Sequence, residues 1–177
     1  IMYRMALKKA KTVFFENQVN ADEFVHRRIL KENSITVLNG AGVNLNRFVY
    51  TEYPAAGKTV RFLFLGRIMK EKGVDELFEA AERLKQEYGD QVQLDLVGFF
   101  EDSYKARVEQ LEQEGVVVFH GFQSDPISFY QETNCVVLPS YHEGMSNVLL
   151  EAAAIGRPLI TSDIPGCCEA VVDGVSG

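Results

Sequence analysis

Apolar residues come in short unbroken runs separated by stretches of helical periodicity, and the two patterns alternate along most of the chain. Residues 60–65 form an apolar run with one charged position near its start, as a strand buried on both faces requires. Over 74–88, apolar residues recur at Val74, Leu77, Phe78, Ala81 and Leu84, the spacing of one helix face. The unit repeats. A run at 92–97 precedes a helix over about 102–113, and a run at 116–119 precedes a short helix with Asp125 as cap and Pro126 in its first turn. A run at 135–138 precedes a helix starting after Ser146, and a run at 158–161 precedes a short helix near 166–171. Strands alternating with helices at this rhythm imply right-handed crossovers and an α/β fold: a Rossmann-like, doubly wound parallel sheet with helices on both faces.

The opening of the chain has the same grammar on a smaller scale. Residues 3–11 read as the end of a helix and 12–15 as a short β-rich run, with Asn20 and Glu23 as a capping box for the next helix. A brief apolar run at 35–38 leads into Asn39-Gly40-Ala41-Gly42, after which the chain stays irregular through Pro54 and Gly57 to Lys58. This middle stretch reads as a hinge or linker. The last residue, Gly177, follows no closing strand or helix, so the chain reads as cut short.

In such a sheet, ligands sit beyond the carboxyl ends of the strands, where the strand order reverses. Taking 60–65 as strand 1 of the common order 3-2-1-4-5-6, the flanking loops are residues 66–73 and 140–146. The first carries Arg67, Lys70 and Lys72; the second carries Glu143 and runs into a helix start. Together they suit a diphosphate. Arg67 and Lys72 supply charge, and Gly144 permits close backbone approach. The N–H groups around Ser146 and Asn147 add donors and the positive helix end. Glu151, about one turn inside that helix, can accept from a ribose diol, and Glu143 can bind hydroxyls of a sugar beyond the phosphates. Alone, the three basic residues would read as a solvated loop; their place after strand 1 reverses that.

Composition narrows the partners. The 177 residues are 46% hydrophobic and 24% charged, enough for one substantial core. Residues 1–31 hold seven Lys/Arg against three Asp/Glu, a net +4, whereas 32–177 hold eleven against twenty-two, a net −11. That acidic surface argues against nucleic acid. The basic start, with Arg4, Lys8, Lys9 and Lys11, reads as a solvated helix face or a contact with anionic lipid. Three cysteines, with Cys167 and Cys168 adjacent and expected to pack, form neither a disulfide framework nor a metal site, which points to a reducing compartment. No run approaches the roughly 18 apolar residues of a membrane span, and Ile1-Met2-Tyr3-Arg4 lacks a signal-peptide layout. His142 is expected to orient its loop, Phe99-Phe100 to form a wall or surface patch, and His26 and His120 have no assigned role.

A resemblance lies in Phe64-Leu65-Gly66-Arg67 with Glu71-Lys72-Gly73, Leu138-Pro139-Ser140, Glu143-Gly144 through Leu150-Glu151-Ala152, and Gly156-Arg157-Pro158-Leu159-Ile160. With Asp163-Ile164-Pro165-Gly166 and the stretch from Glu169 to Gly174, these motifs in this order resemble the donor-binding half of the family 4 retaining glycosyltransferases (glycosyltransferase group 1). The resemblance runs from about residue 34 to the end. It implies the GT-B type architecture of two Rossmann-like domains across a cleft. Residues 1–38 would be the tail of the amino-terminal acceptor domain, 39–58 the interdomain linker, and 59–177 the nucleotide-sugar domain. Residues 12–30 and 39–44 look most like capsule and exopolysaccharide enzymes of bacteria.

By that similarity Arg67 and Lys72 would stabilise the diphosphate leaving group electrostatically, so no metal or other cofactor is implied. Glu143 would orient the donor sugar near its reacting carbon, and Glu151 would bind the ribose. Gly66, Gly144, Met145, Ser146, Asn147 and Val148 would line the nucleotide sugar, with Gly121 and Phe122 meeting the base. The implied reaction moves a sugar, UDP-linked as the family-weighted choice, with retention at the anomeric carbon. Its acceptor would be a glycan or lipid-linked molecule engaged through the missing domain, in the cytoplasm at the inner face of the membrane. Without that domain the chain is expected not to transfer sugar efficiently. Relatives often carry Arg or Lys where Cys168 stands, a departure from the pattern.

Other classes fit less well. A phosphoacceptor domain needs acidic residues after strand 1 and an aspartate after strand 3, where this chain has Gly66-Arg67 and His120-Gly121. A dinucleotide oxidoreductase needs a glycine fingerprint between strand and helix, but Gly40-Ala41-Gly42-Val43-Asn44-Leu45 lacks its third glycine. The closer rivals share the architecture: a nucleotide-sugar epimerase, or a donor-binding module without catalysis.

Overall fold

The computed structural model describes residues 2–55 and 57–177; Ile1 and Ala56 lie outside that description. The chain starts with helix α1 (Met2–Ala6), strand β1 (Val13–Phe15), helix α2 (Gln18–His26) and strand β2 (Ile35–Val37). β1 and β2 pair in parallel, with Val13 opposite Ile35, so α2 is the crossover of a small βαβ unit. α1 ends sooner than the sequence suggests. The cap of α2 is Asn17, not Asn20: its Oδ1 accepts the Asn20 N–H at 2.8 Å, which makes Asn20 the third helical residue.

The larger unit runs β3 (Val60–Ile68), α3 (Val74–Tyr88), β4 (Val92–Phe100), α4 (Lys105–Gln113), β5 (Val117–Phe119), α5 (Ile127–Glu132), β6 (Cys135–Leu138), α6 (Asn147–Ile155) and β7 (Leu159–Thr161). Its five strands are all parallel in the order β5-β4-β3-β6-β7, the expected order with its reversal between β3 and β6. The connections through α3 and α4 run one way from β3, and those through α5 and α6 run the other. Right-handed crossovers therefore place the two pairs on opposite faces.

Burial explains why the chain settles this way. Leu63, Phe64 and Ile68 of β3, Leu96 of β4 and Val136 of β6 are fully excluded from water, with Phe78, Leu111, Leu149 and Ile155 packed on them from the helices. Each such side chain contributes roughly 1.5–3 kcal/mol on leaving water. β3 and β4 continue three residues beyond the expected ends because Gly66 and Gly98 keep the parallel ladder going to Ile68 and Phe100. α4 begins at Lys105 rather than Asp102. Pro126 takes the cap position of α5, with Asp125 accepting the Ile127 N–H at 3.4 Å. The helix expected near 166–171 is a single 3-10 turn at Cys168–Ala170.

The irregular middle segment is held rather than loose. Phe48 is buried and meets Tyr130 edge-on, with ring centroids 6.2 Å apart. Arg157, itself buried, donates from Nη2 to the Thr51 and Glu52 carbonyls at 2.9 Å each. No helix of the described residues is long and apolar enough to cross a membrane.

Candidate active site

The loops after β3 and β6 meet beyond the carboxyl end of the sheet. The first leaves β3 through a 3-10 turn at Lys70–Lys72 and enters α3 through Gly73 in the left-handed conformation, φ 68°. A β-carbon at Gly73 would collide with the Pro139 carbonyl, so only glycine lets this turn lie against the end of β6. Tyr141 N–H donates to the Glu71 carbonyl at 2.9 Å and ties the two loops together.

That approach delivers Lys72 to Glu143. Lys72 Nζ lies 2.5 Å from Glu143 Oε1, and Ser140 Oγ donates to the same oxygen at 2.8 Å. Both side chains are largely withdrawn from solvent, 16% and 12% exposed, and Ser140 is fully buried. Glu143 Oε2 has no partner among the described residues, so it is free to accept from a bound hydroxyl. Arg67 is placed differently from expectation. It faces outward in an ion pair with Glu101 at 2.6 Å, and an anion must draw it from that partner.

Helix α6 supplies the other half. Ser146 caps it, accepting the Leu149 N–H at 3.4 Å, while its own N–H donates to the Gly166 carbonyl at 2.9 Å. The Ser146 amide, expected to be a free donor, is therefore already used. The N–H groups of Gly144, Met145, Asn147 and Val148 have no acceptor among the described residues, leaving four donors at the positive helix end. Gly166 packs so closely that a β-carbon there would lie 2.6 Å from the Gly144 carbonyl oxygen.

One turn into α6, Glu151 Oε2 accepts from the hydroxyl of Tyr130 at 2.8 Å, while Oε1 has no partner among the described residues. Burial pushes the Glu151 carboxyl above the usual glutamate range, against the lowering pull of that hydrogen bond and of Arg47. Burial, with the neighbouring Glu151 charge, pushes the Tyr130 hydroxyl far up, so it stays protonated and donating. Glu143 and Glu151 thus share a design: one oxygen anchored by a buried neighbour, the other open. Tyr130 and Ser140 are the anchors the sequence reading missed; their signal is burial, which no local pattern displays.

On the other side of β3, the Gly121 carbonyl accepts from Gly98 N–H at 2.9 Å. Phe122 is 68% exposed, with its backbone N–H unpaired among the described residues and its ring edge-on to Phe99 at 6.3 Å. Gly66 lies in the β3–β4 ladder opposite Gly98. His142 is exposed with no hydrogen bond to the described residues, so it does not orient the loop. Cys167 packs as expected, but Cys168 is exposed.

Residues 51–177 match the family described as glycosyl transferases group 1. The chain belongs to the group 1 glycosyltransferases. It is 33% identical over 99% of its length to the N,N'-diacetylbacillosaminyl-diphospho-undecaprenol alpha-1,3-N-acetylgalactosaminyltransferase of Campylobacter jejuni, and 30% identical over 100% to the capsular polysaccharide biosynthesis glycosyltransferase CapM of Staphylococcus aureus. It covers 48% and 50% of those proteins, about half the length of the relatives it matches. Among solved structures it resembles HepE of Anabaena in complex with UDP and glucose, with a TM-score of 0.77 and 21% identity over 99% of this chain and 52% of that one. The lipopolysaccharide-biosynthesis glycosyltransferase WaaG gives 0.75 and 21%, over 94% of this chain and 52% of that one. These likenesses show the GT-B type fold over the half that a group 1 enzyme shares with this chain.

Proposed function

We propose that this glycosyltransferase chain binds a nucleotide diphosphate sugar, UDP-linked, between the loops after β3 and β6. The sugar passes, with retention at the anomeric carbon, to a glycan or lipid-linked acceptor in surface polysaccharide synthesis. The observation that carries the reading is the paired glutamates, each with one anchored and one open oxygen, flanking Lys72 and the unpaired N–H groups at the start of α6. Glu151 takes the ribose hydroxyls and Glu143 the sugar hydroxyls. Between them the diphosphate meets Lys72, Arg67 and the helix end. As the bond to the leaving phosphate lengthens, charge grows on the diphosphate; the held Lys72 and the N–H dipoles, joined by Arg67 once it leaves Glu101, stabilise it without a divalent ion. The exposed Phe122 ring offers the base a stacking surface. The printed names of the relatives, one acting on an undecaprenol-linked acceptor and one in capsule synthesis, support the acceptor class, and the HepE complex supports UDP.

A calorimetric panel of UDP, GDP and ADP, each with EDTA and with magnesium, tests this. UDP is expected to bind best and equally well in both conditions. No binding by any of the three refutes the donor site, and a strict magnesium requirement refutes its metal-independent form.

A further inference from the structure

The loop that carries Glu143 is held from the far end of the chain. Asn17, at the start of α2, is only 4% exposed although it belongs to the small N-terminal unit. Its side chain is fully committed: Oδ1 caps α2, and Nδ2 donates to the Gly144 carbonyl at 2.7 Å and to the Glu143 carbonyl at 3.4 Å. Those bonds cross 127 and 126 residues of sequence. The peptide bonds here are trans, so each carbonyl lies antiparallel to the N–H of the next residue. Drawing the two carbonyls toward Asn17 turns the N–H groups of Gly144 and Met145 away from it. Those are two of the four amides without an acceptor among the described residues. Gly166 packs against the same two carbonyls.

We propose that Asn17 is a positioning residue that sets the peptide orientation of residues 143–145, and so presents the Gly144 and Met145 N–H groups and the Glu143 carboxylate to the diphosphate and sugar of the donor. The role assigned to those groups rests on the donor-site reading above; the hold on the loop does not. A consequence is that the N-terminal unit and the sugar end of the donor site are linked through one amide. Displacing α2 by even an ångström or two breaks the bond and frees the loop.

Asn17→Asp and Asn17→Ser separate this role from helix capping, because both replacements remain good caps while neither can donate to the Gly144 carbonyl as the amide does. Two measurements on the 177-residue chain decide it. In the ligand-free protein, amide hydrogen exchange at Ser146, whose N–H bonds Gly166, is expected to quicken about tenfold in both variants, the equivalent of one hydrogen bond, while α2 amides keep their protection. In titrations, UDP-glucose is expected to bind about tenfold more weakly while UMP, which lacks the β-phosphate and sugar, binds as before. A merely structural role would weaken both ligands together and would overturn the proposal, as would unchanged Ser146 exchange. If the unaltered chain binds neither UMP nor UDP-glucose, the donor-site reading fails, and the exchange measurement still decides whether Asn17 holds the loop.

Discussion

Replacing Glu151 with alanine separates what this residue does for the fold from what it does for the ligand. In the free protein the substitution removes the acceptor of the Tyr130 hydroxyl, which is completely buried. An unsatisfied buried hydroxyl costs about 1–3 kcal/mol, which for a chain of this size lowers the melting temperature by about 2–12 °C. Adding Tyr130→Phe removes the stranded hydroxyl and is expected to recover most of that loss. Ligand binding should not recover. The open Oε1 of Glu151 is assigned to the ribose, and a hydrogen bond to a charged acceptor is worth about 1.5–3 kcal/mol, so UDP affinity should fall about 10- to 150-fold in the single and the double variant alike. The same factor should separate UDP from 2',3'-dideoxy-UDP in the unaltered chain and vanish in the variants. Protonation offers an independent check with a definite sign. Burial raises the Glu151 carboxyl above the usual glutamate range, so its acceptor capacity fails at a higher pH than an exposed glutamate's. UDP-glucose, which has no terminal phosphate titrating near neutrality, should therefore lose affinity as pH falls through that raised value, and Glu151→Gln should flatten the profile. Isothermal calorimetry measures the affinities, and thermal unfolding measures the stability changes. The assignment is refuted if Glu151→Ala binds UDP as the unaltered chain does, or still discriminates against the dideoxy nucleotide.

Three further outcomes follow from the same geometry. Glu143→Ala should weaken UDP less than Glu151→Ala does, yet abolish the extra affinity of UDP-glucose over UDP; the opposite ranking by calorimetry would exchange the two roles. Gly73→Ala places a β-carbon against the Pro139 carbonyl in left-handed backbone, which alone costs about 1–2 kcal/mol, so both melting temperature and UDP affinity should drop; unchanged binding would mean the turn does not position Lys72. Asp95, 2% exposed within β4, accepts from Arg61, His120 and Gln93; burial pushes its carboxyl up, but the hydrogen bonds outweigh this and hold it below the usual aspartate range. Its contribution to stability is therefore present above the ordinary aspartate value and lost as pH falls through the lowered one. Asp95→Ala should cost about 1–3 kcal/mol in urea unfolding near neutral pH, because Arg61 keeps Glu132 as a partner, and a loss under about 0.5 kcal/mol would show the cluster to be surface-like.

Sequence alone determined the class of fold and which two loops would meet beyond the carboxyl end of the sheet. Unbroken apolar runs and 3.6-residue periods are local consequences of how many faces an element buries, so alternating strands and helices could be read directly, and the parallel order placed residues 66–73 and 140–146 at the reversal. It could also name the charged residues there, because Arg67, Lys72 and Glu143 fall in those two loops and Glu151 one turn into the helix that follows. What it could not decide was which of them pair. Lys72 reaches Glu143 and Arg67 does not, because Gly73 lets one turn close on Pro139 while Glu101 at the end of β4 draws Arg67 outward. The Ser146 amide was misread for a similar reason: its acceptor, Gly166, is 20 residues away in a different loop. Asn17 and Tyr130 were silent and Ser140 showed only as the end of a motif, since a polar side chain reveals its role only through the buried partner it satisfies. Each of those partners is fixed by packing between elements distant in the chain. The sequence determined where charge and helix ends would gather; the tertiary structure decided which oxygens and N–H groups were left free for a ligand.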